Sequence, residues 1–232
     1  GAILILKDRK GIGAETAQRL RNQGHTIFEA EMGEAYSQKG ENSYSVNGTV
    51  EGYKKLLEDI NISELGTVIH MQTLTDECEI ASVKEIEEAQ RVGAYSFHNL
   101  TQELVTGSSS NVNIMLVSQY VNEVTKREKL IKPHNATLFG LAKIVSIENP
   151  NLKCKCVDVD KYVDAEDIIE ELKAGYEDYL VAYRHGIRYT EIIEKVDVSD
   201  IKLGKTKLKS HGVYIITGGT GFIGLEIAKF VA

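Results

Sequence analysis

Three things are scarce in this sequence, and each scarcity closes a class of function. Positive charge is the first: 27 Lys and Arg stand against 34 Asp and Glu, for a net charge of −7. Neutralising a phosphate backbone takes a basic stripe, so no nucleic-acid partner is expected, and Lys202, Lys205, Lys207 and Lys209 read as a solvated linker. Long apolar runs are the second. None reaches the roughly 18 residues that bridge a bilayer, and no charged stretch precedes a long apolar one at the amino terminus. The expectation is a soluble, cytoplasmic protein with no membrane partner. The chain opens directly on an apolar strand, Ala2 to Leu6, which reads as excision from something longer. Cysteine is the third: Cys78, Cys154 and Cys156 are odd in number. The last two alternate along one strand and so face one side of a sheet. Structural zinc wants four ligands, so no metal site is expected and these read as buried free thiols.

Catalytic patterns are missing as well. A short-chain reductase protonates its nascent alkoxide from a tyrosine with a lysine four residues on, and no tyrosine here qualifies: Tyr120 is followed at that spacing by Val124, Tyr176 by Leu180 and Tyr183 by Ile187. Ser118, at a strand end, lacks a tyrosine about a dozen residues beyond it, where Leu130, Ile131 and Lys132 stand. The histidines at 25, 70, 98, 134, 185 and 211 form no metal-hydrolase pattern, and no Gly-x-Ser-x-Gly elbow is present. No catalytic residue is assigned. Tyr183, Arg184, Arg188 and Tyr189 form an aromatic and basic cluster that reads as packing rather than as a grip on an acidic carrier.

What the chain does have is Val213 to Gly224, a strand running into a glycine-rich turn and then a helix, Leu225 to Ala232. Gly219, Gly221 and Gly224 fit the dinucleotide fingerprint: tight turn, close approach to pyrophosphate, and packing of helix on strand. Gly218, Gly219, Thr220, Gly221, Phe222, Ile223 and Gly224 are therefore the candidate cofactor-binding residues, with the helix aiming its first N–H groups at the phosphates. An internal repeat returns this unit in register. The 211 positions from Gly13 to Gly224 also lay Ile5 over Ile216, Ile12 over Ile223, Glu15 over Glu226 and Ala17 over Ala228. The first copy is damaged, because Asp8 stands where Gly219 stands and Lys10 where Gly221 stands. A carboxylate there would repel a pyrophosphate. Glu29 and Glu31 fall near the position of a ribose acid but read as a solvated strand end.

In order, the pattern predicts strand Ala2 to Leu6, helix Gly13 to Asn22, strand His25 to Phe28, a loop over Glu34 to Thr49, helix Val50 to Ile60 and strand Thr67 to Met71. A long helix follows from a capping box at Ser82 and Glu85 to Gly107. Then come strand Asn113 to Ser118, a charged loop Lys126 to Pro133, helix Asn135 to Ile147, strand Lys153 to Val159 and helix Ala165 to Ala174, capped by Asp164 and closed by Gly175. Leu180 to Thr190 reads as a strand, or as a hairpin turning at His185-Gly186. Strand and helix alternate, so the fold class is α/β: a doubly wound, mostly parallel, Rossmann-like sheet, followed by the start of a second Rossmann fold.

The helix segment Asn135 to Pro150, then Val157-Asp158-Val159, then Val181-Ala182-Tyr183-Arg184-His185-Gly186-Ile187-Arg188-Tyr189, and last Tyr214 to Gly224, make an order that resembles the ketoreductase domain of modular polyketide synthases. The resemblance implies a non-catalytic structural subdomain of degenerate short-chain dehydrogenase/reductase fold over residues 1–195, a linker over 196–211, and over 212–232 the start of an NADPH-binding catalytic subdomain. It also implies a parent that reduces a keto group of an intermediate tethered by phosphopantetheine to an acyl carrier protein. Its partners would be the missing catalytic subdomain and that carrier. The family's catalytic lysine, serine, tyrosine and asparagine would lie past Ala232, so the chain alone should be inactive. Two alternatives stand beside this: a non-enzymatic scaffold within a multidomain synthase, and a sugar-nucleotide epimerase-type NAD-binding protein, whose glycine motif would sit at its amino terminus. If the second copy lacks partner strands, Val213 to Ile216 should pair with the first sheet, swap into another chain, or be mobile.

Overall fold

The computed structural model describes residues 1–75, 80–107, 111–197 and 208–232, in two units, Gly1–Glu191 and Ile192–Ala232. Cys78 and Lys202, Lys205 and Lys207 lie outside the described residues, as does most of the expected linker. The first unit opens with β1 (Ala2–Leu6), whose five residues are all buried, and α1 (Ile12–Asn22), ended near Gly24 in the left-handed region at φ 89°. Next come β2 (Ile27–Met32), β3 (Ser37–Gly40), β4 (Ser43–Val46), α2 (Val50–Asp59) and β5 (Leu65–His70). α3 (Val83–Gln90), α4 (Ser96–Gly107), β6 (Val112–Gln119), α5 (Ala136–Glu148), β7 (Leu152–Val159), α6 (Ala165–Lys173), β8 (Leu180–Arg184) and β9 (Ile187–Thr190) complete it.

The described residues build one nine-stranded sheet in the order β3-β4-β2-β1-β5-β6-β7-β8-β9. Its seven inner strands run parallel, and only the edge strands β3 and β9 pair antiparallel. Because neighbouring residues of a strand point to opposite faces, each inner strand feeds two cores. Leu4, Leu6, Val68, Ile114, Leu116, Cys154 and Cys156 meet α2, α4 and α5 through Tyr53, Leu56, Phe97, Leu100, Leu138 and Ala142. Ile3, Ile5, Ile27, Ile69, Met115, Val117, Val157 and Val181 meet α1 and α6 through Ala17, Leu20, Ile168 and Ile169. The fold is a three-layer, Rossmann-like α/β sandwich, with helices on both faces of the sheet as parallel strands require.

Several elements differ from the sequence reading. The expected loop over Glu34 to Thr49 holds the β3–β4 hairpin, turned at Asn42 (φ 57°), with β4 parallel to β2 and Tyr44 and Val46 buried. Two apolar residues are too few to show alternation, and the backbone of β2 supplies the pairing. β2 itself runs on to Met32, past Phe28. The long helix to Gly107 is broken between α3 and α4 by a widened π turn, Arg91–Tyr95, in which Gly93 comes against Thr73 so closely that a Cβ would lie 3.2 Å from its methyl group. β8 and β9 form the hairpin, with His185 (φ 54°) and Gly186 (φ 73°) at its turn. The second unit contains α7 (Phe222–Val231), which begins three residues before the expected Leu225; Val213 to Ile216 forms no strand and is largely exposed.

Candidate functional site

The glycine turn is built as its residue types require. Gly218 sits in the left-handed region at φ 69°, and its carbonyl accepts the N–H of Gly221 at 2.9 Å, closing the turn. Gly221 is the N-cap of α7. A Cβ at Gly219 would lie 3.0 Å from the carbonyl oxygen of Ile216, and one at Gly224 would overlap the Gly218 carbonyl and the Gly219 Cα. The first-turn amides of Phe222, Ile223 and Gly224 have no helical carbonyl upstream of them. Thr220 and Gly221 lie on the exposed side of the turn. Beyond Gly224 the charged residues are Glu226 and Lys229, which pair with each other at 2.7 Å.

The first copy turns differently, left-handed at Gly11 rather than at the position of Gly218, and its anion subsite is filled from within. Gly13 packs on the two residues that correspond to Gly218 and Gly219: a Cβ there would lie 3.3 Å from the Lys7 Cα and 3.0 Å from an Asp8 carboxylate oxygen. Asp8 does more than repel an anion. Its carboxylate accepts the N–H groups of Lys10 (2.8 Å), Ile12 (3.3 Å) and Gly13 (2.6 Å), the amides that a phosphate would use at a helix start. The residues of this copy therefore do not fit a pyrophosphate.

Around Asp8 a crevice of about 690 Å³ opens beyond the carboxyl ends of β2, β1 and β5. This is the place where the strand order reverses direction and where such sheets take their ligands. Asp8, Glu31, Glu85 and Glu88 supply four carboxylates to its lining. Glu29, one residue pair away on β2, is tied up by Lys7 at 3.4 Å and by Arg21; Glu31 has no ion-pair partner among the described residues. On the floor, Gln72 is 5% exposed. Its Oε1 accepts from the Ser96 hydroxyl at 3.0 Å, while its Nε2 has no acceptor among the described residues. Sequence reading missed Gln72, which carries no motif.

A second concavity, of about 320 Å³, lies past β6, β7 and β8 and is floored by Arg184. Arg184 is buried and fully engaged: Nε donates to Glu128 at 3.0 Å, Nη1 to the carbonyls of Asp158 and Tyr183, and Nη2 to Asp158 Oδ2 and the Asn122 carbonyl, each at 2.9 Å. Burial works to raise the Glu128 carboxyl. The amides of Thr125 and Val124 together with Arg184 outweigh it and hold the pKa at about 2. Arg188 is paired with Glu171 and Asp178. Tyr183 and Arg184 are thus engaged in the core, while Arg188 and Tyr189 lie on the edge strand β9, with Arg188 exposed. Ser118 is fully buried, its hydroxyl without a partner among the described residues.

Residues 1–174 match the family model for the "Beta-ketoacyl synthase-like, N-terminal" region. The chain belongs to this family. Polyketide synthase PksN of Bacillus subtilis is 32% identical over 98 residues, 41% of this chain and 2% of the relative. Among solved structures, the adenylation, ketoreductase and pseudo Asub multidomain structure of a keto acid-selecting NRPS module is 25% identical and superimposes on 99% of this chain and 20% of that one, with a TM-score of 0.87. An N-terminal ketoreductase from the macrolactin assembly line, 17% identical, covers 99% of this chain and 46% of its own at 0.73 and shows the fold. The chain spans a small fraction of the curated relative. The likeness to a ketoreductase-containing module agrees with the resemblance read from the sequence. The described thiols, Cys154 and Cys156, give no support for condensation: both are buried, burial raises both pKa values, that of Cys154 to about 11, and neither is an activated nucleophile.

Proposed function

We propose that this chain is the structural half of a polyketide synthase ketoreductase, residues 1–195 being non-catalytic and 212–232 beginning the NADPH-binding half. The parent would reduce a keto group on an acyl chain carried by phosphopantetheine on an acyl carrier protein. The observation that carries the reading is the contrast between the two copies: Asp8 fills the first anion subsite, while the second turn keeps Gly219, Gly221 and Gly224. When bound, the nicotinamide cofactor supplies the hydride. This chain's contribution would be backbone: amides of Thr220, Phe222, Ile223 and Gly224 and the positive end of α7 against the pyrophosphate, with side chains absent where it must approach. The proton donor and the groups that hold the carbonyl would come from the other half.

NADPH oxidation with a β-ketoacyl thioester tests this. The expected result is no turnover by this chain alone and turnover when it is joined to its catalytic half, with Gly219→Asp raising the KM for NADPH by at least about tenfold, since a carboxylate would face the pyrophosphate. Turnover by the chain alone, or a well-folded joined protein without activity, would overturn the proposal. The exposed apolar residues Val213, Ile215, Phe222 and Phe230 favour one further reading, a scaffold that grips a partner without catalysis. Binding of the separately supplied half at micromolar concentration is its signature.

A further inference from the structure

We infer that the concavity past β6, β7 and β8 is an anion site for a phosphate monoester. It stands away from the strand reversal, over strands that lie side by side in chain order. Its volume, about 320 Å³, falls at the small end of small-molecule sites, roughly 300–1,000 Å³. In a chain of net charge −7, Arg127, Lys129, Lys161 and Arg184 line it against two carboxylates, Glu128 and Asp160. Both carboxylates are satisfied from within. Glu128 accepts from Arg184 and from the amides of Val124 and Thr125, and Asp160 from the amides of Tyr162 at 2.9 Å and His185 at 2.6 Å. Arg127, Lys129 and Lys161 are exposed and have no carboxylate partner among the described residues, so the lining keeps its surplus of positive charge for a ligand.

The backbone is bent to build this place. Tyr120 (φ 51°) and His185 (φ 54°), both on the lining, and Lys126 (φ 60°), next to Arg127, occupy the left-handed region without being glycine. Such residues cost about 1 kcal/mol or more each and persist where their surroundings hold them, commonly at ligand sites. Tyr120 is held by its N–H to the Val159 carbonyl at 3.0 Å and by its carbonyl, which accepts the Lys132 N–H at 2.7 Å; its ring lies 5.5 Å from the Arg184 guanidinium. The Tyr120 hydroxyl accepts the N–H of Lys161 at 3.2 Å, which leaves the O–H to donate to an anion. Lys161 rests over the Tyr162 ring at 5.3 Å, a contact that orients the ammonium without neutralising it. Four cations against two carboxylates suit a dianion, and Leu130 and Tyr162 give apolar surface for the organic part of the ester. The assignment is independent of whether the parent is a reductase, because the glycine turn takes no part in it.

Calorimetric titration of the full chain with phenyl phosphate at about pH 8, where a monoester is a dianion, is the test. Saturable one-to-one binding is expected, with benzoate, a monoanion of similar breadth, at least about tenfold weaker. Lys161→Gln and Arg127→Gln should each weaken phenyl phosphate about tenfold, and Tyr120→Phe about threefold, with the urea midpoint unchanged in all three. A phosphoserine peptide titrated in parallel identifies the source: binding no tighter than phenyl phosphate marks a free ester, and tighter binding marks a phosphorylated protein. Gly219→Asp, which spoils the glycine turn, should leave the affinity as it is and so locates the binding in the first unit. No binding at millimolar phenyl phosphate, benzoate binding as tightly, undiminished binding by folded Lys161→Gln and Arg127→Gln, or loss of binding in Gly219→Asp would each overturn the inference.

Discussion

His70 shows what one buried side chain does to the whole. It ends β5, is fully buried with the ring of Phe97 edge-on at 6.1 Å, and neither ring nitrogen has a partner among the described residues. Burial lowers its pKa to about 4, against about 6.5 in an unfolded chain. Between those values the unfolded chain binds a proton that the folded one refuses. Stability therefore falls as pH drops through this window, by up to about 1.4 kcal/mol per unit. His70→Leu removes the titration and sacrifices no hydrogen bond. Urea unfolding at pH 7 and pH 5 should show a difference smaller by about 2 kcal/mol in the variant; an unchanged difference would mean that His70 takes up its proton as readily in the fold as in the unfolded chain. Nothing local in the sequence marks this residue, because its pKa depends on α4 covering β5. Gln72 and Glu31 are hidden for the same reason: both are ordinary polar residues until three strand ends bring them to one crevice.

At the level of elements, the start of α1 shows a functional motif turned into a structural one. The repeat made it legible that Asp8 replaces a fingerprint glycine. That the carboxylate binds the vacated amides, rather than merely repelling a ligand, required the turn geometry around Gly11, which has φ 94°. An acidic cap on N-terminal amides is worth about 1–2 kcal/mol. Asp8→Ala should lower unfolding free energy by about that amount, measured by chemical denaturation at constant m-value, and a neutral result would make the three hydrogen bonds incidental. The β3–β4 hairpin was illegible for a different reason. β3 is wholly exposed, so it carries no hydrophobic signal, and its existence depends on β4 completing its hydrogen bonds to β2.

Over the whole molecule, both hydrophobic cores are made of residues between Ile3 and Tyr183. The second unit has Gly224 as its buried residue among those described, and its apolar side chains are exposed. A chain ending at Glu191 should accordingly melt within about 2 °C of the full chain by calorimetry, less than a 1 kcal/mol change would produce in a domain of this size. A larger fall would show that the second unit stabilises the first. By itself the sequence determined the α/β class, the repeat, the spoiled first glycine turn and the likeness to ketoreductases, because hydrophobic period, glycine spacing and register are properties of local order along the chain. Tertiary structure alone decided that Asp8 plugs the first anion subsite, that Arg184 is engaged in the core, and that Glu31, Gln72 and Asp8 share one crevice. Those outcomes depend on strands far apart in sequence ending side by side, and on burial that no single segment carries.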